Sequence, residues 1–506
     1  MTADLFTPDA PFRTLPGLIA LHARHQPGHP ALRDEQQVLS YAQLDALMDR
    51  VAAALQRDGV QPGEAIAICA LSSVRYAALF LGVLRAGAVA APLAPSSTPE
   101  SLRGMLRDAD ARLLFVDGTA PTAEGAPRTI ALDGPAFDAW LAPEGTVPAP
   151  VEIGPEAPFN LIYSSGTTGV PKGIVQPHGM RWTHMRRVPV YDYGPHGTTL
   201  LATPLYSNTT LVVFLPTLAG GGCVLLMAKF DALRYLQLAQ QYRVTHTMLV
   251  PVQYQRIMAL PQFGDFDLSA FRFKFCTSAP FSAALKADVL ARWPGTLTEF
   301  YGMTEGGGTC ILDAHLHPDK LHTVGRPAEG HDIRLIDEEG REVPPGEAGE
   351  VVGHSPGMMT GYHNQPDKTR EAEWFDASGK RFIRTGDVGR FDADGFLTLI
   401  DRRKDMVISG GFNIYPSDLE AQLRQHPAVA DAAVVGVPSV QWGETPVAFV
   451  VPHAGHAATP AEVLEWFNQR AGKTQRLADL RFVGELPRSP IGKVLKRDLR
   501  DGYAAR

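Results

Sequence analysis

Tyr163-Ser164-Ser165-Gly166-Thr167-Thr168-Gly169-Val170-Pro171-Lys172-Gly173 follows directly on Phe159-Asn160-Leu161-Ile162, an apolar run that reads as a strand. Three glycines, four Ser/Thr hydroxyls and one lysine in eleven positions describe a loop whose backbone N–H groups and side chains can turn toward one anion. That is a phosphate cradle. It differs from the common nucleotide loop, G-x-x-x-x-G-K-[ST], because Gly166 and Gly169 stand three apart and Pro171 precedes Lys172. Alone, the stretch would serve equally as a glycine-rich turn between strands, so its meaning depends on what surrounds it.

Upstream, strand and helix patterns alternate at short intervals. Ser40 with Gln43 makes a capping box, Leu44, Leu47, Val51 and Leu55 share one helical face, and Gly59 can close the end. Ala65 to Ala70 reads as a buried strand, Val74 to Ala86 as a helix and Ala88 to Leu93 as a strand. Thr98-Pro99 starts another helix before the strand Leu113 to Val116. This alternation predicts parallel sheet with helical crossovers. Between Asp117 and Pro158 the composition shifts to Ala, Pro, Gly and Thr, which marks a boundary or surface connection.

The alternation resumes beyond the glycine loop, with a helix from Ala232 to Tyr242, strands at Val244 to Val250 and Phe271 to Phe275, a helix from Ser282 to Arg292 and a strand at Leu297 to Tyr301. This is a second doubly wound half. From about His322 to Ile400, turns at Asp337 to Gly340, Pro344 to Gly349, Asp376 to Gly379 and Asp392 to Gly395 separate the short strands of a small antiparallel unit. The last hundred residues return to a mixed α+β pattern.

At 506 residues the chain is long enough for about three folding units. With 45% of residues hydrophobic and 20% charged, each can bury an ordinary core. The net charge of -7 gives no electrostatic footprint for nucleic acid or an anionic membrane, and neither partner is expected. Leu211 to Ala228 is apolar, but Pro216 and Gly220-Gly221-Gly222 interrupt it, so it reads as a buried helix, a turn and a buried strand rather than a membrane span. Cys69, Cys223, Cys276 and Cys310 are widely spaced, which indicates neither a zinc site nor a disulfide framework. With no signal-peptide pattern at the start, a reducing, cytoplasmic setting is expected. A homodimer is compatible with this composition.

Four further segments bear on the glycine loop. Tyr301-Gly302-Met303-Thr304-Glu305 closes a strand with an acid beside a hydroxyl, suited to Mg²⁺ against phosphate oxygens. Thr385-Gly386-Asp387 sets an acid in a tight turn, able to accept from two ribose hydroxyls or from its own backbone. Asp401-Arg402-Arg403-Lys404-Asp405 leads into the paired Gly410-Gly411, and Ser489-Pro490-Ile491-Gly492-Lys493 carries one lysine at a glycine turn. Taken singly, each reads as a turn or a solvated link.

In this order and at these distances the segments resemble the signature set of the adenylate-forming superfamily, the acyl-CoA synthetase branch in particular. The resemblance runs from Val83-Leu84-Arg85-Ala86-Gly87-Ala88 to Lys493 and so covers nearly the whole chain. It implies an α/β fold: a large N-terminal domain, residues 1–403, of two doubly wound α/β subdomains plus a small β subdomain at about 322–400. A small mobile α+β C-terminal lid, residues 404–506, would swing on a hinge at Lys404. It also implies ATP, Mg²⁺ and coenzyme A. A carboxylate would be joined to AMP with loss of pyrophosphate, and the acyl group then passed to the thiol of CoA or of a carrier protein. A degenerate protein that only binds acyl-adenylates is the non-catalytic alternative.

Carried over residue by residue, the resemblance puts Ser165, Gly166, Thr167, Thr168, Gly169 and Lys172 on the β and γ phosphates and Thr304 on the α-phosphate. Glu305 would hold the metal. Ser278-Ala279-Pro280, where Gly-Ala-Pro is usual, would line the adenine with Tyr301, and Asp387 and Arg402 would hold the ribose. Lys493 would place positive charge between two anions that, about 4 Å apart at an effective dielectric near 20, repel by roughly 4 kcal/mol. Gly410 and Gly411 would line the thiol channel, since residues without side chains let a thin arm pass close to the backbone.

The acyl pocket implied is walled by Trp182, Met185, Ser207, Met248, Phe300, Gly306, Gly307 and Gly308. Three glycines leave room, so an aromatic or medium-chain acid is expected. Two departures stand out. Ser207 occupies the place of a common gating histidine, and Asp401 that of a glycine, for which there is no physical account. No acid occurs from Pro204 to Leu211, which weighs against amino-acid substrates.

Overall fold

The computed structural model describes residues 3–7, 9–164, 172–402, 405–409, 412–439, 443–471, 475–489 and 492–504. These fall into two compact units: residues 1–322, 327–332 and 354–383, and residues 323–326, 333–353 and 384–506.

The first unit is built on two sheets. One follows the expected alternation: the strands Ala65–Cys69, Val89–Leu93 and Leu113–Val116 run parallel, with Val74–Arg85 and Pro99–Asp108 as crossover helices. Ala65–Cys69 and Val89–Leu93 are buried at every position, as a sheet covered on both faces requires. The same sheet continues through Pro158–Ser164 and Lys172–Pro177 to Gly361–Tyr362, and at its other edge to Thr129–Ala131. The stretch read as a connection between Asp117 and Pro158 therefore contributes an edge strand and the short helix Pro135–Trp140. Its low apolar content hid both.

In the second sheet the strands Thr198–Leu201, Cys223–Leu226, His246–Leu249, Phe273–Cys276 and Thr296–Gly302 are parallel neighbours. Pro30–Arg33, from the start of the chain, pairs in parallel with Cys223–Leu226, a partner nearly two hundred residues away in sequence. The apolar run from Leu211 resolves into the end of the helix Asn208–Ala219, a turn and the strand Cys223–Leu226. No helix among the described residues is long and apolar enough to cross a membrane.

Local signals set the helix ends as read. Ser40 and Gln43 form a full capping box on Tyr41–Arg57, and Thr98 and Ser282 each accept from the backbone N–H three residues on.

In the second unit, residues 384–391 pair antiparallel with Leu397–Arg402. Further along, Val429–Ser439 and Gly443–Pro452 form a long antiparallel pair, flanked by Val407–Ser409 and by the parallel strand Asp479–Phe482. Helices Pro416–Leu423 and Pro460–Asn468 cover one face and Lys496–Ala504 contributes to a second core.

Candidate active site

In the first unit the strands Pro158–Ser164 and Lys172–Pro177 pair antiparallel, with Ser164 opposite Lys172 and Tyr163 opposite Gly173. The two ends of the glycine loop are thus brought side by side. Ser165, Gly166, Thr167, Thr168 and Gly169 themselves lie outside the described residues. Lys172 opens the return strand with its Nζ 5.0 Å from the ring centroid of Tyr362. The Tyr362 hydroxyl donates to Glu305 Oε1 at 2.8 Å. Burial, reinforced by Glu305, pushes the Tyr362 phenol far up, so it stays a donor. Lys172, Tyr362 and Glu305 therefore form one connected row, with the carboxylate oriented by a neutral hydroxyl.

Thr304, next to Glu305, is fixed from behind by a buried polar array. Gln176 Nε2 donates to the Thr304 carbonyl at 2.6 Å, and Asn160 Nδ2 donates to Gln176 Oε1 at 2.8 Å. Arg181 donates from Nε and Nη2 to Asn160 Oδ1 at 3.1 and 2.9 Å, from Nη1 to Asn208 Oδ1 at 2.9 Å, and also to Gln176 Oε1. Asn160, Gln176 and Arg181 are all 0% exposed. Burial lowers the Arg181 guanidinium to about 9, still charged at neutral pH, and its partners are neutral amide oxygens. Such an array is stable only when every member is satisfied, and it then admits one arrangement.

Ser207 caps the helix Asn208–Ala219, its Oγ accepting from Thr209 N at 3.3 Å. Thr209 Oγ1 in turn lies 2.6 Å from Ser278 Oγ. Ser278 has φ +82°, a backbone conformation natural to glycine and costly for any side chain, and the hydrogen bond to Thr209 offsets part of that cost. Ala279 is partly buried and Pro280 exposed beside it, and Tyr301 is partly buried at the end of Thr296–Gly302.

The expected acyl-pocket residues divide. Phe300 stacks on Phe275 at 5.5 Å and borders a narrow cavity. Trp182 instead packs against Phe6 and Phe12, at 5.8 and 6.3 Å, and Met185 and Met248 sit within the main core. Gly306 has φ +78°, and a Cβ there would lie 2.1 Å from the carbonyl oxygen of Gly357. Close backbone approach, not spare volume, makes glycine obligatory at that position. Gly307 and Gly308 are buried.

In the second unit Asp387 and Arg402 are opposite one another in the register of adjacent strands. The Asp387 N–H donates to Thr385 Oγ1 at 3.0 Å; the expected tight turn is instead part of the strand Arg381–Phe391, in which Gly386 takes φ +71° and lets strand pairing continue to Asp387. Lys493 follows a tight turn in which Gly492 N donates to Ser489 O and Ser489 N to Lys493 O, both at 2.8 Å. Arg488 spans that turn to the Gly492 carbonyl at 2.7 Å and to Asp431 at 2.5 Å. Strands Val407–Ser409 and Phe412–Ile414 pair with Ser409 opposite Phe412. Gly410, Gly411 and Lys404 lie outside the described residues.

Sequence reading missed Asn160, Gln176, Arg181, Asn208 and Tyr362. A signal existed for two of them: Asn160 and Gln176 interrupt otherwise apolar strands, and a polar residue inside a buried strand needs a partner.

Comparison with known proteins bears on the family and the fold. The family described as AMP-binding enzyme matches residues 19–363, and the AMP-binding enzyme C-terminal domain matches residues 418–493. A feruloyl-CoA synthase of an Amycolatopsis species is 35% identical, covering 94% of this chain and 96% of that protein. A fatty acid–[acyl-carrier-protein] ligase of Streptomyces coeruleorubidus is 32% identical over 97% and 96%. The crystal structure of ATP-bound MatB from Rhodopseudomonas palustris superposes with a TM-score of 0.88 at 29% identity, covering 97% of this chain and 99% of that one. The expected α/β architecture, large N-terminal part and small C-terminal part are thereby met. With both family matches in their proper order and the glycine-loop hairpin joined to Glu305 through Tyr362, the chain belongs to the AMP-binding enzyme family, within the adenylate-forming superfamily.

Proposed function

We infer that this protein is an ATP-dependent acid–thiol ligase acting on an aromatic or medium-chain carboxylic acid. A carboxylate oxygen attacks the α-phosphorus of ATP as the bond to the pyrophosphate oxygen breaks, giving acyl-AMP and pyrophosphate. A thiol sulfur then takes the acyl carbon, AMP leaves and the thiol proton is released. No general base is needed in the first step because the acid is already ionised.

The observation that carries this reading is the row Lys172–Tyr362–Glu305 beside a Thr304 fixed by Gln176. In it, Ser165, Thr167, Thr168 and Lys172 bind the terminal phosphates and Thr304 the α-phosphate. Ser278-Ala279-Pro280 and Tyr301 line the adenine, and Asp387 and Arg402 bind the ribose. Glu305 fits a Mg²⁺ that arrives with the nucleotide: one oriented carboxylate plus phosphate oxygens is its usual donor set. Among the described residues no cluster of three His, Cys, Asp or Glu forms a metal cage of its own. When bound, that ion supplies charge neutralisation on the phosphates. Lys493 does so from the C-terminal domain, residues 404–506, which turns on Lys404, and Gly410 and Gly411 line the path of the thiol arm. Four free cysteines, all buried, suit the cytoplasm.

The relative that loads an acyl carrier protein supports a second acceptor. Incubation with ATP, CoA or a carrier protein and an acid panel, following pyrophosphate and thioester separately, decides among the readings. Thioester with CoA is the expected result; thioester with carrier protein alone reassigns the acceptor, and neither product refutes the ligase.

A further inference from the structure

Asp108 ends the crossover helix Pro99–Asp108, where a carboxylate opposes the helix macrodipole, so helix stability does not account for it. Its side chain is spent on other elements. Oδ2 accepts from the Tyr163 hydroxyl at 2.8 Å and Oδ1 from Gln365 Nε2 at 3.4 Å, while the backbone carbonyl accepts from Asn364 Nδ2 at 3.1 Å. The Tyr163 hydroxyl also lies 3.1 Å from the Met105 carbonyl. Burial, with the charge of Asp108, pushes the Tyr163 phenol far up, so the tyrosine donates and the acid accepts.

Tyr163 and Gly173 oppose one another one pair back from the mouth of the glycine loop, which Ser164 and Lys172 form. A Cβ on Gly173 would lie 3.0 Å from Asp108 Oδ2 and 3.1 Å from the Tyr163 hydroxyl, and the φ of Gly173 is not in the left-handed region. Space, not conformation, therefore calls for glycine there: it lets the tyrosine cross the return strand and reach the acid. The Gly173 carbonyl accepts from His363 N at 2.7 Å, and Ile174 opposes Tyr362. The segment after Tyr362 is thus tied at one end to the return strand and at the other, through Asn364 and Gln365, to Asp108. Asp108 touches both sides of the loop's stem and the chain whose tyrosine orients Glu305. Donors that must meet phosphate oxygens tolerate displacements of only about 0.5 Å, so whatever fixes the stem decides whether the loop is ready for its ligand.

We propose that Asp108 is a positioning residue for the triphosphate: by holding Tyr163 and Gln365 it fixes the stem of the glycine loop, and with it Lys172, against the segment that carries Tyr362. This rests on the ligase reading above. Calorimetry on the intact protein compares ATP with AMP, which lacks the phosphates assigned to the loop. Asp108→Ala keeps the bond from Asn364, which uses the backbone, and should weaken ATP by about 10-fold, as expected for one charge-assisted hydrogen bond. AMP affinity should stay within about twofold, and in turnover the KM for ATP should rise while that for the acid does not. Tyr163→Phe should reproduce the loss, and the double variant should be no worse than either single one. Asp108→Asn, which retains an oxygen for Tyr163, should recover most of the ATP affinity. Equal weakening of ATP and AMP, additive effects of the two substitutions, or unchanged ATP affinity in Asp108→Ala would overturn the assignment. If no acid releases pyrophosphate, the ligase reading fails, and the two titrations still decide the role of Asp108.

Discussion

Thr304 is anchored by a fully buried array, Gln176 on its carbonyl and Arg181 joining Asn160, Gln176 and Asn208 behind it, whereas Lys493 stands on a turn closed near the surface by Ser489, Gly492 and Arg488. The first arrangement surrounds its functional group with groups that have no alternative partner. The second uses hydrogen bonds that water can replace at little cost. A group that must receive a developing charge gains from being preorganised, and in the proposed mechanism Lys493 arrives on a moving domain, which calls for a stiff local turn but not a rigid setting. The contrast predicts that damage to the two regions will differ in kind: stability in the first, chemistry in the second.

The strongest test of that contrast is Arg181→Met. It strands the buried Asn160 Oδ1 and removes one donor each from Gln176 Oε1 and Asn208 Oδ1, and should cost about 3–5 kcal/mol of stability in all. Urea unfolding measures it, and a loss below about 1 kcal/mol would mean that the array is not the anchor described. Lys493→Ala should do the opposite. Adenylate formation should fall by about 10²–10³-fold while the melting temperature and thiol transfer from supplied acyl-AMP are unchanged. Equal loss of both half-reactions would contradict its role.

The anchored region also rests on neutral histidines. Burial lowers His246 from 6.5 to about 4, while its Nε2 meets the Tyr191 carbonyl at 2.8 Å. Because the folded state disfavours the protonated ring, the unfolded chain binds more protons between these values. The stability is present above pH 6.5 and is lost as pH falls toward 4, by about 3 kcal/mol for this residue. His246→Gln should flatten the decline of melting temperature over that range, and an unchanged slope would remove His246 as its source. The smallest effect is Ser278→Gly. Relief of the positive φ, worth about 1–2 kcal/mol, outweighs the lost bond to Thr209, so a gain of at most about 1 kcal/mol is expected. A loss on chemical denaturation would show that the hydrogen bond dominates.

Much of the architecture was already legible in short stretches. The capping box at Ser40, the alternation of strands and helices from Ala65 to Val116, and the interrupted run after Leu211 are each decided by residues within one turn or one strand of each other. The glycine loop could be placed after a strand, but not its return through Lys172 to Tyr362, since nothing near Tyr362 marks it as a partner of Glu305. Trp182 and Met248 read as pocket walls because large apolar side chains serve cores and ligands equally; that they pack in one cluster with Phe275 and Phe300 was visible only in the structure.

Amino-acid order alone therefore determined the elements, their caps and the family signature, because periodicity, capping and turn chemistry act over a few residues. Only the folded chain decided that Pro30–Arg33 joins Cys223–Leu226, that Arg181 meets the amide oxygens of Asn160, Gln176 and Asn208, and that Tyr362 meets Glu305. The physical reason is distance along the chain. Partners far apart in sequence meet through the sum of all packing, and no local pattern encodes which buried polar group meets which.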